Sequence, residues 1–282
     1  MRDELNEKLK SNQRITIQIS RQSMNPTLNV ALKAARDAAE AIAHASDRID
    51  RIKILNADPN NFLTSLDLES EKTLKFHILK AFPEHSIKSR TTDLAQDKEN
   101  SVIWLIDPLI GNRNFTAGYT QFGVSLACQI NGIIQHAVVI APMTNEEFTA
   151  SRGDGAQLNA RRLRTGNASE ISAGSLVSLE SPFGTNEANL EFQASLLRLG
   201  ADLRISGCPA LDIVNTAAGR LVGGWASQQP KTSIAAASLI LHEAGGLLGN
   251  ENASPEWDSG NELIYGNLKT FKQLSKIRKS HP

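Results

Sequence analysis

Apolar positions change their period along the chain, and each change marks an element. From Asn25, the residues Leu28, Leu32, Ala35, Ala39 and Ile42 recur at spacings of three and four, which predicts a helix. A second helix is predicted from about residue 67 to 82, with Leu74, Ile78 and Phe82 on one stripe and Pro83 ending it. Residues 102–106 are then continuously apolar, the pattern of a buried strand, and the run stops at Asp107-Pro108. Phe122, Val124, Leu126, Cys128 and Ile130 alternate as a strand does. Asn131-Gly132 is a hairpin turn, and residues 133–140 read as the returning strand.

The second half alternates in the same way. Leu190, Ala194 and Leu197 predict a helix closed by Gly200, and Ala210, Ile213, Val214 and Ala217 predict another closed by Gly219. A third is expected over residues 233–244. Leu268, Phe271, Leu274 and Ile277 mark a terminal helix, with Lys276, Arg278 and Lys279 in its last turns, where cations suit the helix dipole. Helices interleaved with strands in both halves predict a layered α/β (α+β) sandwich. The expected division is an N-terminal extension over residues 1–23, an α+β subdomain over 24–165 and an α/β subdomain over 166–282.

Composition narrows the class. The 30 basic and 30 acidic residues cancel, which excludes a globally basic nucleic-acid coat protein and an acidic disordered chain. Hydrophobic residues at 40% can build a large core. No apolar run reaches the roughly 18 residues of a membrane span, and residues 1–21 lack the apolar stretch of a secretory signal. Cys128 and Cys208 are too few for a disulfide framework or a structural zinc site and read as buried hydrophobes. The expected location is cytoplasmic, with no membrane partner and no direct nucleic-acid signature.

Read by themselves, the residues with chemistry to offer are few. Asp107 at a strand end, followed by Pro108, Gly111 and Asn112, is a possible metal or phosphate corner; an acid there is at least as often a turn cap. The surrounding run, Trp104-Leu105-Ile106-Asp107-Pro108-Leu109-Ile110-Gly111-Asn112-Arg113-Asn114-Phe115, resembles the W-x-I-D-P-L-D-G-T-x-N-F signature of the inositol monophosphatase family. Thr232-Ser233-Ile234-Ala235-Ala236, leading to Glu243-Ala244-Gly245-Gly246, resembles its second signature, W-D-x-A-A followed by E-A-G-G. Phe82-Pro83-Glu84-His85, the segment Arg152-Gly153-Asp154-Gly155 and Ala210-Leu211-Asp212 are also similar. The likeness covers about residues 24 to 270 and is strongest to the bacterial SuhB-like branch.

That resemblance implies the family's sandwich fold and a magnesium-assisted hydrolysis of phosphate monoesters such as inositol 1-phosphate, with acids holding the metal and the amides after D-G-T meeting the phosphate. By this alignment Asp67 and Asp107 are retained acids. Arg90 stands for the first glutamate of the G-E-E loop, Ile110 for the second aspartate of D-P-L-D-G-T, Asn112 for its threonine, and Ser233 for the aspartate of W-D. Ala226 stands for the glutamate that contacts substrate hydroxyls. The family's ligand acids would supply a charge of about −4, or about −5 with Asp67; here two acids and Arg90 leave about −1. The expectation is therefore a catalytically inactive homologue with no cofactor, in which Asp107 is the one retained inner metal ligand, Arg90 satisfies Asp107, and Ser233 caps its helix. The expected role is binding or regulation, as a homodimer or a heterodimer with an active paralogue, or with a NusA-type transcription factor in antitermination. Two alternatives stand beside it: a residual magnesium-dependent phosphomonoesterase using Asp67, Asp107 and Asn112, and an anion-binding module in which Arg90, Gly111, Asn112 and Arg113 hold a phosphate.

Overall fold

The first helix, α1 (Pro26–Ser46), begins where the Asn25 side chain accepts the Thr27 amide and Pro26 occupies the first turn. All five of its expected core positions, from Leu28 to Ile42, are buried. The computed structural model describes residues 25–58, 61–92, 101–180 and 186–281; the extension expected over residues 1–23 lies outside them. A short antiparallel pair, β1 (Ile54–Asn56) and β2 (Leu63–Thr64), leads into α2 (Ser65–Ala81). Thr64 and Asp67 form a reciprocal capping box at the start of α2, so this helix begins two residues earlier than its apolar stripe suggests.

The larger sheet has seven strands in the order β3 (Ser86–Ser89), β4 (Val102–Ile110), β5 (Gly123–Ile130), β6 (Ile133–Ala141), β7 (Glu146–Ser151), β8 (Gly155–Leu158) and β9 (Arg161–Arg162). β3 runs parallel to β4 and every later neighbour pair is antiparallel. β4 does not stop at Asp107 as its apolar run predicts. It continues through Pro108 to Ile110, and pairing with β5 shifts register between Asp107 and Ile110. Proline cannot donate to a ladder, so the irregularity falls where the sequence requires one. A five-residue helix, α3 (Asn112–Thr116), follows at Gly111, whose φ of 71° and close approach to the Gln121 carbonyl exclude a side chain.

The smaller sheet follows the order β11 (Asp202–Arg204), β10 (Leu176–Leu179), β12 (Gly223–Ser227), β14 (Glu262–Gly266) and β13 (Leu247–Gly249). Helices α4 (Glu187–Arg198), α5 (Pro209–Ala217), α6 (Lys231–Glu243) and α7 (Leu268–Lys279) complete the chain. Three apolar clusters define the layers. One joins α1 and α2 to the larger sheet. The second places α5 and α6 between the two sheets, and the third packs α4 and α7 on the far face of the smaller sheet. Helix and sheet layers therefore alternate, the sandwich architecture expected from the interleaved pattern. No helix among the described residues is long and apolar enough to cross a membrane.

One stripe was read on the wrong face. Leu190 and Leu197 of α4 are 57% and 56% exposed, and the helix packs through Phe192 and Leu196 instead. Both stripes have a helical spacing; the aromatic side chain buries more area, and Phe192 meets Trp225 on β12 with ring centroids 6.0 Å apart.

Candidate functional site

A cavity of about 950 Å³ opens between the bulged end of β4, the start of α6 and the ends of β10 and β12. Asp107 projects from β4, Asp67 from the first turn of α2, and Arg90 follows directly after β3. Parallel pairing of β3 with β4 sets Ser89 beside Ile106, which delivers Arg90 to the level of Asp107. Its guanidinium lies between the two acids. Nε donates to Asp107 Oδ1 at 2.8 Å, and Nη2 donates to Asp67 Oδ1 in a short contact.

The remaining carboxylate positions are also filled. Asp107 Oδ1 accepts the Leu109 amide at 3.2 Å, and Oδ2 accepts the Ser233 hydroxyl at 2.5 Å. Asp67 Oδ2 accepts the Thr64 amide and hydroxyl at 2.8 and 2.6 Å, and Oδ1 accepts Asn112 Nδ2 at 3.2 Å. Burial lifts the Asp67 carboxyl above its ordinary range, while the Arg90 charge and the Thr64 hydrogen bonds pull it back. The two carboxylates raise the Arg90 guanidinium above its ordinary value, so it is permanently cationic. Arg90 therefore does satisfy Asp107, and it takes Asp67 as well.

Other expected site residues have different surroundings from those anticipated. Ser233 is not a helix cap: α6 starts at Lys231 after Pro230, and Ser233 is its third residue. The preceding proline turn sets the helix start, which frees the serine hydroxyl to point at Asp107. Ile110 is 3% exposed and joins the core between the sheets, so the second aspartate position is apolar. Asn112 donates to the Phe62 carbonyl at 2.8 Å as well as to Asp67, holding Gly111 and α3 against the β2 approach. Arg113 stacks on Phe62, 4.7 Å from its ring centroid, and reaches the Asp58 carbonyl at 3.4 Å. Arg90 also reaches Phe62, its Nη1 donating to that carbonyl at 3.4 Å, and its guanidinium is spent inside the protein rather than offered to an anion.

Further buried titratable groups, to which the sequence pattern gave no site role, lie in or near the site or in the core. Glu71, one turn beyond Asp67, accepts the Thr92 hydroxyl at 2.5 Å and pairs with Lys75 at 3.0 Å, fixing the segment after Arg90. Despite burial, those hydrogen bonds hold the Glu71 carboxyl below its ordinary range. Its i,i+4 spacing from Lys75 was the available signal. Glu180, just after β10, also lines the cavity and accepts hydrogen bonds from Ser227 Oγ at 3.0 Å and Gln229 Nε2 at 2.8 Å. Burial pushes its carboxyl up. Nothing local in the sequence marks Glu180. Asp212 on α5 is buried beside Ser206, which donates to it at 2.8 Å, and burial pushes it up to about 7. Cys128 and Cys208 are buried thiols, with burial pushing Cys128 up to about 12.

These surroundings can be tested against a divalent metal. Magnesium needs several oxygen ligands free to face it. Here both retained acids direct their oxygens to Arg90, Ser233, Asn112 and Thr64, and the neighbouring position is Ile110. Among the described residues no group of three or more His, Cys, Asp or Glu side chains converges to hold a metal ion. The donor set does not fit the family's metals.

The fold is that of a phosphatase family. The inositol monophosphatase family matches the chain over residues 23–277, and the chain belongs to that family. It is 36% identical over 265 residues to the Nus factor SuhB of Pseudomonas aeruginosa, covering 92% of this chain and 97% of that relative. Among solved structures it is similar to the extragenic suppressor protein suhB of Bartonella henselae, with a TM-score of 0.85 at 25% identity over 90% of this chain and 98% of that one. The inositol monophosphatase of Anabaena (Nostoc) sp. PCC 7120 superposes with a TM-score of 0.77 at 27% identity, covering 90% and 96% of the two chains.

Proposed function

We propose that this chain is a non-hydrolytic, SuhB-like member of the family that acts by binding rather than by phosphate-ester cleavage. The observation that carries the reading is Arg90, ion-paired to both Asp67 and Asp107 where the family would place a metal. A divalent ion would have to displace an internal guanidinium and then coordinate two acids beside Ile110. That exchange sacrifices a buried ion pair for an incomplete ligand set. The chain accordingly needs no metal cofactor.

The role beyond catalysis is regulatory. Relatives bearing the name Nus factor support association with a transcription factor of the NusA type, in antitermination complexes of the cytoplasm. The protein pairs with itself or with an active paralogue. Residues 24–165 and 166–282 act as two subdomains of one unit, a division supported by the seven-stranded sheet falling in the first segment and the five-stranded sheet in the second.

The test is a phosphatase assay on inositol 1-phosphate and an aryl phosphate across magnesium and manganese concentrations, with Asp107→Asn as control. No turnover above that control, together with co-purification of NusA or of a paralogue, is expected. Metal-dependent turnover abolished in the control would overturn the reading.

A further inference from the structure

The lysines of α7 fall on one face of the helix. Lys269, Lys272, Lys276 and Lys279 follow one another at three, four and three residues, and all of them are exposed. The helix carries no acidic residue to alternate with them. Among the described residues none of the four belongs to an ion pair. Lys33, Lys75 and Lys231 elsewhere each hold a carboxylate. Lys279 Nζ donates to the Asn252 carbonyl at 3.3 Å, a neutral partner. The balanced charge of the whole chain conceals this local excess.

The helix dipole accounts for only part of the pattern. Lys276 and Lys279 suit the last turn, but Lys269 lies in the first, where a cation is disfavoured. Like charges at three- and four-residue spacing also repel one another. The opposite face is firmly held. Phe271 and Leu274 enter the third apolar cluster, Asn267 caps the helix through the Lys269 and Thr270 amides, and Thr270 donates to the Val222 carbonyl at 2.7 Å. Arg278, the remaining cation of the helix, is buried, paired with Glu262 and set over the Phe192 and Trp225 rings. The lysines therefore project from a fixed rod, and at about 1.5 Å per residue they span about 15 Å.

That geometry selects among anionic partners. Protein interfaces are anchored by aromatic and arginine side chains and depleted in lysine, and α7 presents no exposed aromatic residue. A membrane-surface helix needs its apolar face free to enter lipid, and here that face is packed against the smaller sheet. A nucleic-acid strand requires only cations in a row. It carries a phosphate about every 3.4 Å of its axis, so the stripe can meet about four of them.

We propose that the lysine face of α7 binds the phosphate backbone of a nucleic-acid strand without reading its bases. With no aromatic platform for bases to stack on, the contact is indifferent to sequence. No residue of α7 lines the cavity, so the surface is separate from it, and the inference stands whether or not the chain cleaves phosphate esters.

Fluorescence anisotropy of the full chain with a labelled single-stranded RNA of mixed sequence, about 20 nucleotides long, tests it. Micromolar binding is expected at about 50 mM salt, weakening about 50-fold by about 200 mM, the dependence that four phosphate contacts give. Lys269→Gln, Lys272→Gln, Lys276→Gln and Lys279→Gln together should weaken binding at least about tenfold and flatten the log–log salt slope by about 3. Arginine at the same four positions should retain binding, because charge and not shape is read. A control with Arg51→Gln, Lys53→Gln, Lys72→Gln and Lys80→Gln removes equal charge from other exposed positions and should bind as the native chain does. Circular-dichroism melts establish that the variants fold. The single lysine changes, each flattening the slope by about 0.7, carry the test if the fourfold variant does not fold. No binding by about 100 µM protein at low salt, an unchanged slope in the folded lysine variants, or an equal loss in the control would each overturn the proposal. Binding of phosphatidylserine vesicles or polyglutamate through these lysines, with none of RNA, would overturn it in favour of another partner.

Discussion

Two regions of the molecule compensate buried carboxyl groups differently. On the Arg90 side, Asp67 and Asp107 are 0% and 2% exposed and share a guanidinium that is itself held charged. In the other region, Asp212 on α5 is 6% exposed and accepts the Ser206 hydroxyl, and Glu180 after β10 has neutral donors; burial pushes both carboxyls up. Burial penalises charge on both sides. The difference is the counterion that Arg90 supplies. Burial raises Asp67, Glu180 and Asp212 alike, and among these three only Asp67 has a buried guanidinium opposing the rise.

The largest test of that contrast is Arg90→Ala. It leaves two buried acids facing each other, and we expect a loss of about 3–5 kcal/mol in unfolding free energy. Magnesium or calcium should then raise the melting temperature of the variant but not of the native chain, read by thermal melts with and without chelator. Equal responses would break the analogy between guanidinium and metal.

The second region answers to pH. Asp212 has an ordinary value of 3.8 and is pushed up to about 7 in the fold. Between those values the folded state keeps a proton that the unfolded chain releases, so stability falls as pH rises, and the loss is complete above about 7. From pH 5 to 8 this group should cost roughly 2 kcal/mol. Denaturant titrations of Asp212→Asn, which preserves an acceptor for Ser206, should show a flatter pH profile. A profile as steep as the native one would assign the dependence elsewhere. The smallest effect is expected from Ser233→Ala, which removes one donor from Asp107 and leaves Arg90 in place. Chemical denaturation should register about 1–2 kcal/mol; a loss as large as that of Arg90→Ala would mean the hydroxyl, not the guanidinium, is the main support.

Local periodicity made much of the fold legible. The helical spacing from Leu28 to Ile42, the alternation from Phe122 to Ile130 and the Asn131-Gly132 turn all correspond to observed elements. These patterns succeed because an element's period and its turn chemistry are properties of neighbouring residues. The identities of Arg90, Ile110 and Ser233 were equally visible, and the resemblance set them against acids of the family's signatures.

What only the tertiary structure decided is which side chains meet. Two stripes on α4 had a helical period, and packing against Trp225 chose the one carrying Phe192. Ser233 was expected to cap a helix, yet its hydroxyl reaches Asp107 across 126 residues of sequence. Glu180 meets Ser227, 47 residues away, through the pairing of two strands. Periodicity specifies an element and its faces. The strand register and layer packing that bring distant side chains within a hydrogen bond depend on the whole chain at once, so the counterion at Arg90 and the uncompensated carboxyl at Glu180 belong to the folded molecule.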